Sequence, residues 1–363
     1  MEVIDVVVVG GGVTGLASAA AVAAAGREVC VLERHPKPGL DASTHNSGVI
    51  HAGIYYPPGS LKARLCVEGA RELYEFCVRH GVPHARSGKL IVALDDREAG
   101  QLQVLEARAQ ANGARGLAIV VGAGDIRRRE PNVAGVAGLW SPDTGIIEPE
   151  AFVRALARAC ANTGVHVLTG TRLMAADETA GGILLRTERE SILARAVVNA
   201  AGLFADQVSG MLGGESFLIH PSRGEYAELA SSRSHLVNAL VYPLPNASGH
   251  GLGVHLTKTT RGRVQIGPTV HHQRSRHDYE SGRLALEAFL EPARRLLPGL
   301  ELRDLRLGGS GIRANLNAPD EPFADFLIRR DRLNPRVVHA AGISSPGLTA
   351  CLAVGRLVAS LLP

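Results

Sequence analysis

Hydrophobic positions along this chain follow three rhythms. The first is a block. Val3 to Val9 (VIDVVVV) is β-branched and almost wholly apolar, the pattern of a strand buried on both faces of a parallel sheet. It runs into Gly10-Gly11-Gly12-Val13-Thr14-Gly15, then the small-residue helix LASAAAVAAAG, then a second apolar strand, REVCVLE, ending at Glu33. The second rhythm is helical. EPEAFVRALARACANTG predicts an amphipathic helix, and CVEGARELYEFC belongs to another that ends near His80. The third is alternation. Between about residues 215 and 300, SRGEYAEL, HLVNALVYPL, GLGVHLTK and GRVQIGP predict an antiparallel sheet with one face lining a pocket.

The first block is a complete βαβ unit built around a GxGxxG. Gly10 permits the tight turn, Gly12 lets the backbone approach a pyrophosphate, and Gly15 allows close helix–strand packing. The helix start at Val13 and Thr14 offers backbone N–H groups and positive dipole to phosphates. Glu33, 18 residues after Gly15 and followed by Arg34, is placed to accept from a ribose hydroxyl and disfavours a 2′-phosphate. The unit by itself leaves NAD and FAD open. The rest of the chain favours FAD, because a long polar loop replaces further βα repeats and the remaining elements return late. TGVHVLTGTRL and ARAVVNAAG are one return, contributing Leu173, Ala201 and Gly202. VVHAAGISSPGLTACLAVGRLVASLL is the other, a strand, a Gly/Ser/Pro loop and a helix starting near Pro346, Gly347, Leu348 and Thr349. That helix start could stabilise negative charge developing on a flavin pyrimidine.

Composition narrows the class. At 363 residues, 45% hydrophobic and 20% charged, the chain is a soluble globular protein of one large or two moderate domains. The net charge of +4 is carried by dispersed arginines, with lysine at positions 37, 62, 89 and 258 alone, and aromatics are only 4%. Nucleic acid is therefore not an expected partner. Five scattered cysteines without a CxxC pair point to reduced thiols in a cytoplasmic setting and away from a zinc site. No apolar run approaches a membrane span and the N-terminus reads as a strand, which leaves peripheral membrane contact open.

The polar loop STHNSGVIHAGIYYPPGSLK carries the resemblance. Together with RGEY, VYPLP, GLGVHLT, GSGIR and SPGLT, in that order, it resembles the D-amino-acid oxidase/glycerol-3-phosphate dehydrogenase superfamily of FAD enzymes over the whole chain, and within it the L-2-hydroxyglutarate dehydrogenases and oxidases. The resemblance implies that the loop passes over the flavin. Ser43, Thr44, Asn46 and Ser47 would bond the pyrophosphate or ring edge, and Ile50, His51, Ala52 and Gly53 would lie close to the ring. Some relatives attach flavin covalently through a histidine placed like His51. Gly311 is counted with the cofactor residues. The chain departs from the pattern in being shorter between Tyr279 and GSGIR, and in Ala314 where a proline is usual.

Oxidising a 2-hydroxy acid moves a hydride from Cα to flavin N5 and removes the hydroxyl proton. The site needs a cation for the carboxylate and a base. Arg313, matching the superfamily arginine that binds substrate carboxylates, is the expected cation. His255 is the expected base, since alternation of Leu252, Val254 and Leu256 puts it on the opposite strand face. His51 is the alternative base. For the second carboxylate of a diacid the candidates are Arg223, Lys62 and Tyr242, with Tyr56 as wall or donor. The electron acceptor (oxygen, a quinone or a carrier) is not legible.

The expected fold class is α/β (α+β overall): a Rossmann-like FAD-binding domain in segments 1–85, 145–213 and 303–363, interleaved with an antiparallel-sheet substrate domain in 86–144 and 214–302. The leading function is FAD-dependent oxidation of a small 2-hydroxy acid such as L-2-hydroxyglutarate. Amino-acid or amine oxidation, a glycerol-3-phosphate dehydrogenase-like activity, and a flavin protein acting on RNA are the alternatives.

Overall fold

The computed structural model describes residues 3–245 and 252–363. Gly251, the first residue of the GLGVHLT motif, lies outside them. Among the described residues two large sheets form, and the strand pairing explains the three sequence rhythms.

The apolar blocks build the first sheet. Val3–Val9 pairs in parallel with Val29–Leu32 on one side and Ser191–Asn199 on the other. His166–Leu168 extends it beyond Val29–Leu32, and Val337–Ala341 beyond Ser191–Asn199, both in parallel. An antiparallel hairpin, Leu173–Thr179 with Gly182–Thr187, and the short strand Leu327–Arg330 complete it. The strands that run between helices are buried on both faces, which is why they lack alternation.

Helices Val13–Ala24, Leu61–His80, Pro149–Asn162 and Gly347–Leu361 share one apolar core against this sheet. Small residues set their spacing. A Cβ on Gly355 would meet the backbone of Ala17, and one on Gly69 would meet Thr349 and Ala350. Ser60 caps the Leu61–His80 helix by accepting from the Ala63 amide, and the Asp325 carboxylate accepts from Leu61 N at 2.6 Å and Lys62 N at 2.9 Å.

The alternating segments build the second sheet, largely antiparallel. Its backbone runs through His220–Leu229, Val264–Gly267, His255–Lys258, Leu240–Pro243, Lys89–Ala93, Ala137–Ser141 and Ala118–Val121. Here the structure moves a boundary. Leu305–Asn315 pairs antiparallel with His220–Leu229 from His220↔Asn315 to Leu229↔Leu305, so it belongs to the substrate sheet and not, as expected, to the last FAD segment. Arg313 therefore reaches the site from the substrate side.

Candidate active site

A cavity of about 1080 Å³ opens between the two sheets, more than the roughly 300–1,000 Å³ of ordinary small-ligand clefts. One end is made by the glycine-rich turn. Gly10, at φ +114°, holds a conformation that favours glycine, and a Cβ there would strike the Ala200 carbonyl. The Gly12 Cα opens onto Ser43, whose Oγ accepts from the Val13 amide at 3.0 Å. No side chain of the helix itself caps the Val13–Ala24 N-terminus, and the same holds at Gly347–Leu361. Both helix starts, Gly12 to Thr14 and Pro346 to Leu348, line the cavity; Val13 N is taken by Ser43 and Gly347 N by the Ser344 carbonyl, which leaves the Thr14 and Leu348 amides for anionic groups.

Glu33 is buried beside the turn, where its Oε2 accepts from Gly11 N and its Oε1 from His35 N, both at 2.8 Å. Arg34 pairs with Asp41 at 2.8 Å and lies over the Phe204 ring at 4.0 Å. Leu173, Ala201, Gly202 and Gly311 also reach the cavity. Asn46 lines it while folding its own loop: its Nδ2 donates to the Ala42 and Ser43 carbonyls and its Oδ1 accepts from Gly48 N. Ser47 is hydrogen-bonded to Tyr226. A Gly cradle, a carboxylate beyond the second strand and two helix starts with open amides fit a dinucleotide flavin. Gly10, Gly12 to Thr14, Glu33, Arg34, Ser43, Asn46, Ser47 and Pro346 to Leu348 are the residues that would hold it.

Three expectations change. Ile50 is fully buried in the helical core and does not line the cavity, because it points to the same layer as Leu65 and Leu73. Thr44 donates its hydroxyl to Gly39 O at 2.7 Å, tying the loop from behind. Thr349 is buried, accepting from His51 N at 3.0 Å and donating to Val49 O at 3.2 Å, so it fixes the histidine segment and touches no ligand space. Gly15 sits under the turn, where a Cβ would strike the Gly10 carbonyl, a packing contact of the kind expected.

The other end of the cavity brings together the candidate catalytic residues His255, His51 and Arg313. His255 is buried, with its ring stacked on Tyr242 at 3.7 Å and 17°. Its Nδ1 lies 2.8 Å from the Gly253 carbonyl. A carbonyl only accepts, so Nδ1 carries the proton and Nε2 keeps the lone pair. Burial, with Lys89 and Arg313 adding to it against the Gly253 hydrogen bond, lowers the His255 pKa to about 3. His51 is held down to about 3 in the same way, by burial and then by Lys89, His255 and Arg313. Both imidazoles are neutral at pH 7. Every charged group acting on them is cationic.

Arg313 lines the cavity and, among the described residues, pairs with no carboxylate. Arg223 is a correction. Strand alternation turns Ser222, Gly224 and Tyr226 to the cavity and Arg223 to the opposite face, where it pairs with Glu225 at 2.9 Å and donates to Ser281 O at 2.8 Å. Lys62 lines the cavity but donates its Nζ to Ala324 O at 2.6 Å, and burial lowers its pKa to about 8. Tyr56 sits with its hydroxyl 3.4 Å from Ser345 Oγ, and the buried Tyr242 lines the cavity wall. Sequence reasoning missed Tyr226, although its place two residues after Gly224 in RGEY put it on the cavity face. It also missed Lys89, buried behind the wall formed by Tyr55 and Tyr242. Glu215, Asp331 and His339 cluster elsewhere, with His339 Nε2 2.6 Å from Asp331. Their polar atoms are engaged: the Glu215 carboxylate pairs with Arg329, Asp331 accepts from Glu215 N and Asn334 N, and His339 Nδ1 lies 3.2 Å from Asn199 Nδ2.

This fold and this site define a flavin oxidoreductase, and the comparisons agree. The chain belongs to the FAD dependent oxidoreductase family, whose model matches residues 5–361. It is 31% identical to the L-2-hydroxyglutarate dehydrogenase of Escherichia coli (strain K12), over 98% of this chain and 92% of that protein. It is 34% identical to the mitochondrial L-2-hydroxyglutarate dehydrogenase of Arabidopsis thaliana, over 99% of this chain and 83% of that one. A solved FAD-bound L-alpha-glycerophosphate oxidase from Mycoplasma pneumoniae shares the fold at a TM-score of 0.91 and 28% identity, covering 100% of this chain and 95% of that one. FAD is the cofactor of the family to which this chain belongs. No helix among the described residues is long and apolar enough to cross a membrane.

Proposed function

We propose that this enzyme oxidises L-2-hydroxyglutarate to 2-oxoglutarate. The observation that carries the reading is the Arg313 guanidinium, set in the cavity wall without a protein carboxylate to neutralise it. A buried-side cation without a counter-charge is a site for an anion. The named activity of relatives at 31% and 34% identity supports the hydroxy acid over other anions.

FAD, when bound, would supply the acceptor for the hydride that leaves the substrate carbon. The chain's own residues do the rest. Arg313 takes the C1 carboxylate through its two-pronged fork. His255 Nε2 accepts the hydroxyl proton, since Gly253 O holds the other nitrogen protonated. The arriving carboxylate raises the basicity of His255 by offsetting the field of Arg313. Lys62 and Tyr56, both on the cavity wall, are the donors proposed for the distal carboxylate, Lys62 having two further N–H bonds to give. Tyr242 walls the site by stacking on the base.

The test is anaerobic mixing of the FAD-loaded protein with both enantiomers of 2-hydroxyglutarate, lactate, malate, glycerol 3-phosphate, sarcosine, proline and D-amino acids, watching for loss of the oxidised-flavin band. Bleaching by L-2-hydroxyglutarate and not its enantiomer supports the reading. Bleaching by glycerol 3-phosphate or an amine alone sinks it. Reoxidation of the reduced protein by oxygen, a quinone or a flavoprotein carrier then identifies the acceptor.

A further inference from the structure

Lys89 opens the Lys89–Ala93 strand and is fully buried, yet its Nζ has no hydrogen-bond partner among the described residues. Its strand neighbours are Leu240 on one side and Ser141 on the other, and the Ser141 hydroxyl is already bonded to Thr144 at 2.9 Å. The amine lies 4.5 Å from the Tyr55 ring centroid and 4.7 Å from that of Tyr242. Tyr242 in turn stacks on His255. A buried amine with no partner is costly, and a methionine would fill the same volume without that cost. The position retains a cation next to the proposed base.

The groups facing Lys89 give it no counter-charge. From the polar loop come Tyr55 and His51, from the Leu61–His80 helix Cys66, and from the substrate-side sheet Tyr242 and His255. Burial raises the phenols of Tyr55 and Tyr242 and pushes the Cys66 thiol up to about 12, so all three are neutral. Burial also lowers Lys89 itself to about 7. Its charge is therefore present below that pH, in the range where an imidazole would take up a proton.

We propose that Lys89 is a positioning residue: from behind the cavity wall it fixes the Tyr55 and Tyr242 rings and keeps the His255 imidazole in its neutral, proton-accepting form. This rests on the reading of His255 as the base. It assigns no contact between Lys89 and substrate or flavin.

The experiment uses FAD-loaded Lys89→Met and Lys89→Gln proteins. The His255 imidazole is tracked by NMR on histidine-labelled protein, assigned by the signal missing in His255→Gln, from neutral pH down to about pH 2.5. In parallel the acid limb of kcat/KM is measured on L-2-hydroxyglutarate. Both variants should melt no lower than the parent, and in both the His255 titration and the acid limb should move up by about half a pH unit or more. Unmoved titrations in folded variants overturn the proposal, whatever the substrate. A shift in Lys89→Met alone overturns it too, because repacking would then be the cause. So does failure of both variants to fold, which would leave Lys89 a packing role. If no hydroxy acid reduces the flavin but the imidazole titration moves, the substrate reading fails and the role of Lys89 stands.

Discussion

The rings of His255 and Tyr242 stack at 3.7 Å and 17°, while His255 Nδ1 sits 2.8 Å from the Gly253 carbonyl. One contact fixes the plane of the imidazole and the other fixes its tautomer. The nitrogen left with a lone pair is the one the proposed chemistry needs. His255→Ala should then lower the rate of flavin reduction by hydroxy acid about a hundred- to ten-thousand-fold, with FAD content unchanged. Rapid anaerobic mixing measures it. A variant that still reduces its flavin at the parent's rate would pass the role to His51.

Arg313 and Arg223 sit across neighbouring strands but do opposite things, one facing the cavity and the other bound to Glu225 beneath it. Arg313→Met should weaken substrate by about 1.5–3 kcal/mol, roughly ten- to a hundredfold in kcat/KM. Arg223→Met should leave KM alone and destabilise the fold by about 1–3 kcal/mol, since Glu225 keeps Arg283 at 2.9 Å but loses one partner. Steady-state kinetics and thermal melts of the pair separate the two roles. Equal KM effects would contradict the strand alternation on which the assignment rests.

Acid should destabilise the protein through its neutral buried histidines. His255 falls from 6.5 to about 3 on folding, mainly by burial. Between those values the unfolded chain binds the proton and the folded one does not. This stability is fully present above about pH 6.5 and is lost as pH falls towards 3, by at most about 1.4 kcal/mol per pH unit for the group. Denaturant midpoints at several pH values below 6.5 measure the slope, which should be shallower in His255→Gln. An unchanged slope in that variant would mean that other groups carry the acid sensitivity.

Legibility in the sequence tracked how local each piece of chemistry is. The Gly10-to-Glu33 unit could be read because strand, turn, helix and acid lie within one stretch of chain. The alternation around SRGEYAEL predicted a sheet, yet the side facing the ligand depends on register. Arg223 is a candidate for the substrate by charge alone, and only the register shows that Tyr226, not Arg223, shares the cavity face. Leu305–Asn315 was assigned to the wrong sheet because its partner, His220–Leu229, is remote in sequence. Lys89 could not be read at all. A lysine in KLIVA looks like a strand edge until Tyr55 and Tyr242, from two distant segments, close over it.

The glycine turn offers the cleanest test of the cofactor cradle. Gly15 lies in the first turn of the Val13–Ala24 helix, and a Cβ there would strike the Gly10 carbonyl, with Val8 behind it at 3.4 Å. The helix cannot retreat, because its small-residue face already meets Gly355 through Ala17. Gly15→Ala must therefore displace Gly10, the residue that shapes the turn. The overpacking should cost about 1–3 kcal/mol and lower FAD occupancy in the purified protein. Gly100→Ala is the control: it lies in the Asp96–Ala111 helix with open space around its Cα, and should be neutral or stabilising by up to about 1 kcal/mol. Flavin-to-protein absorbance ratios and melting curves on both variants measure the contrast. If Gly15→Ala carries as much FAD as Gly100→Ala, the close approach of helix to turn is not what shapes the cradle.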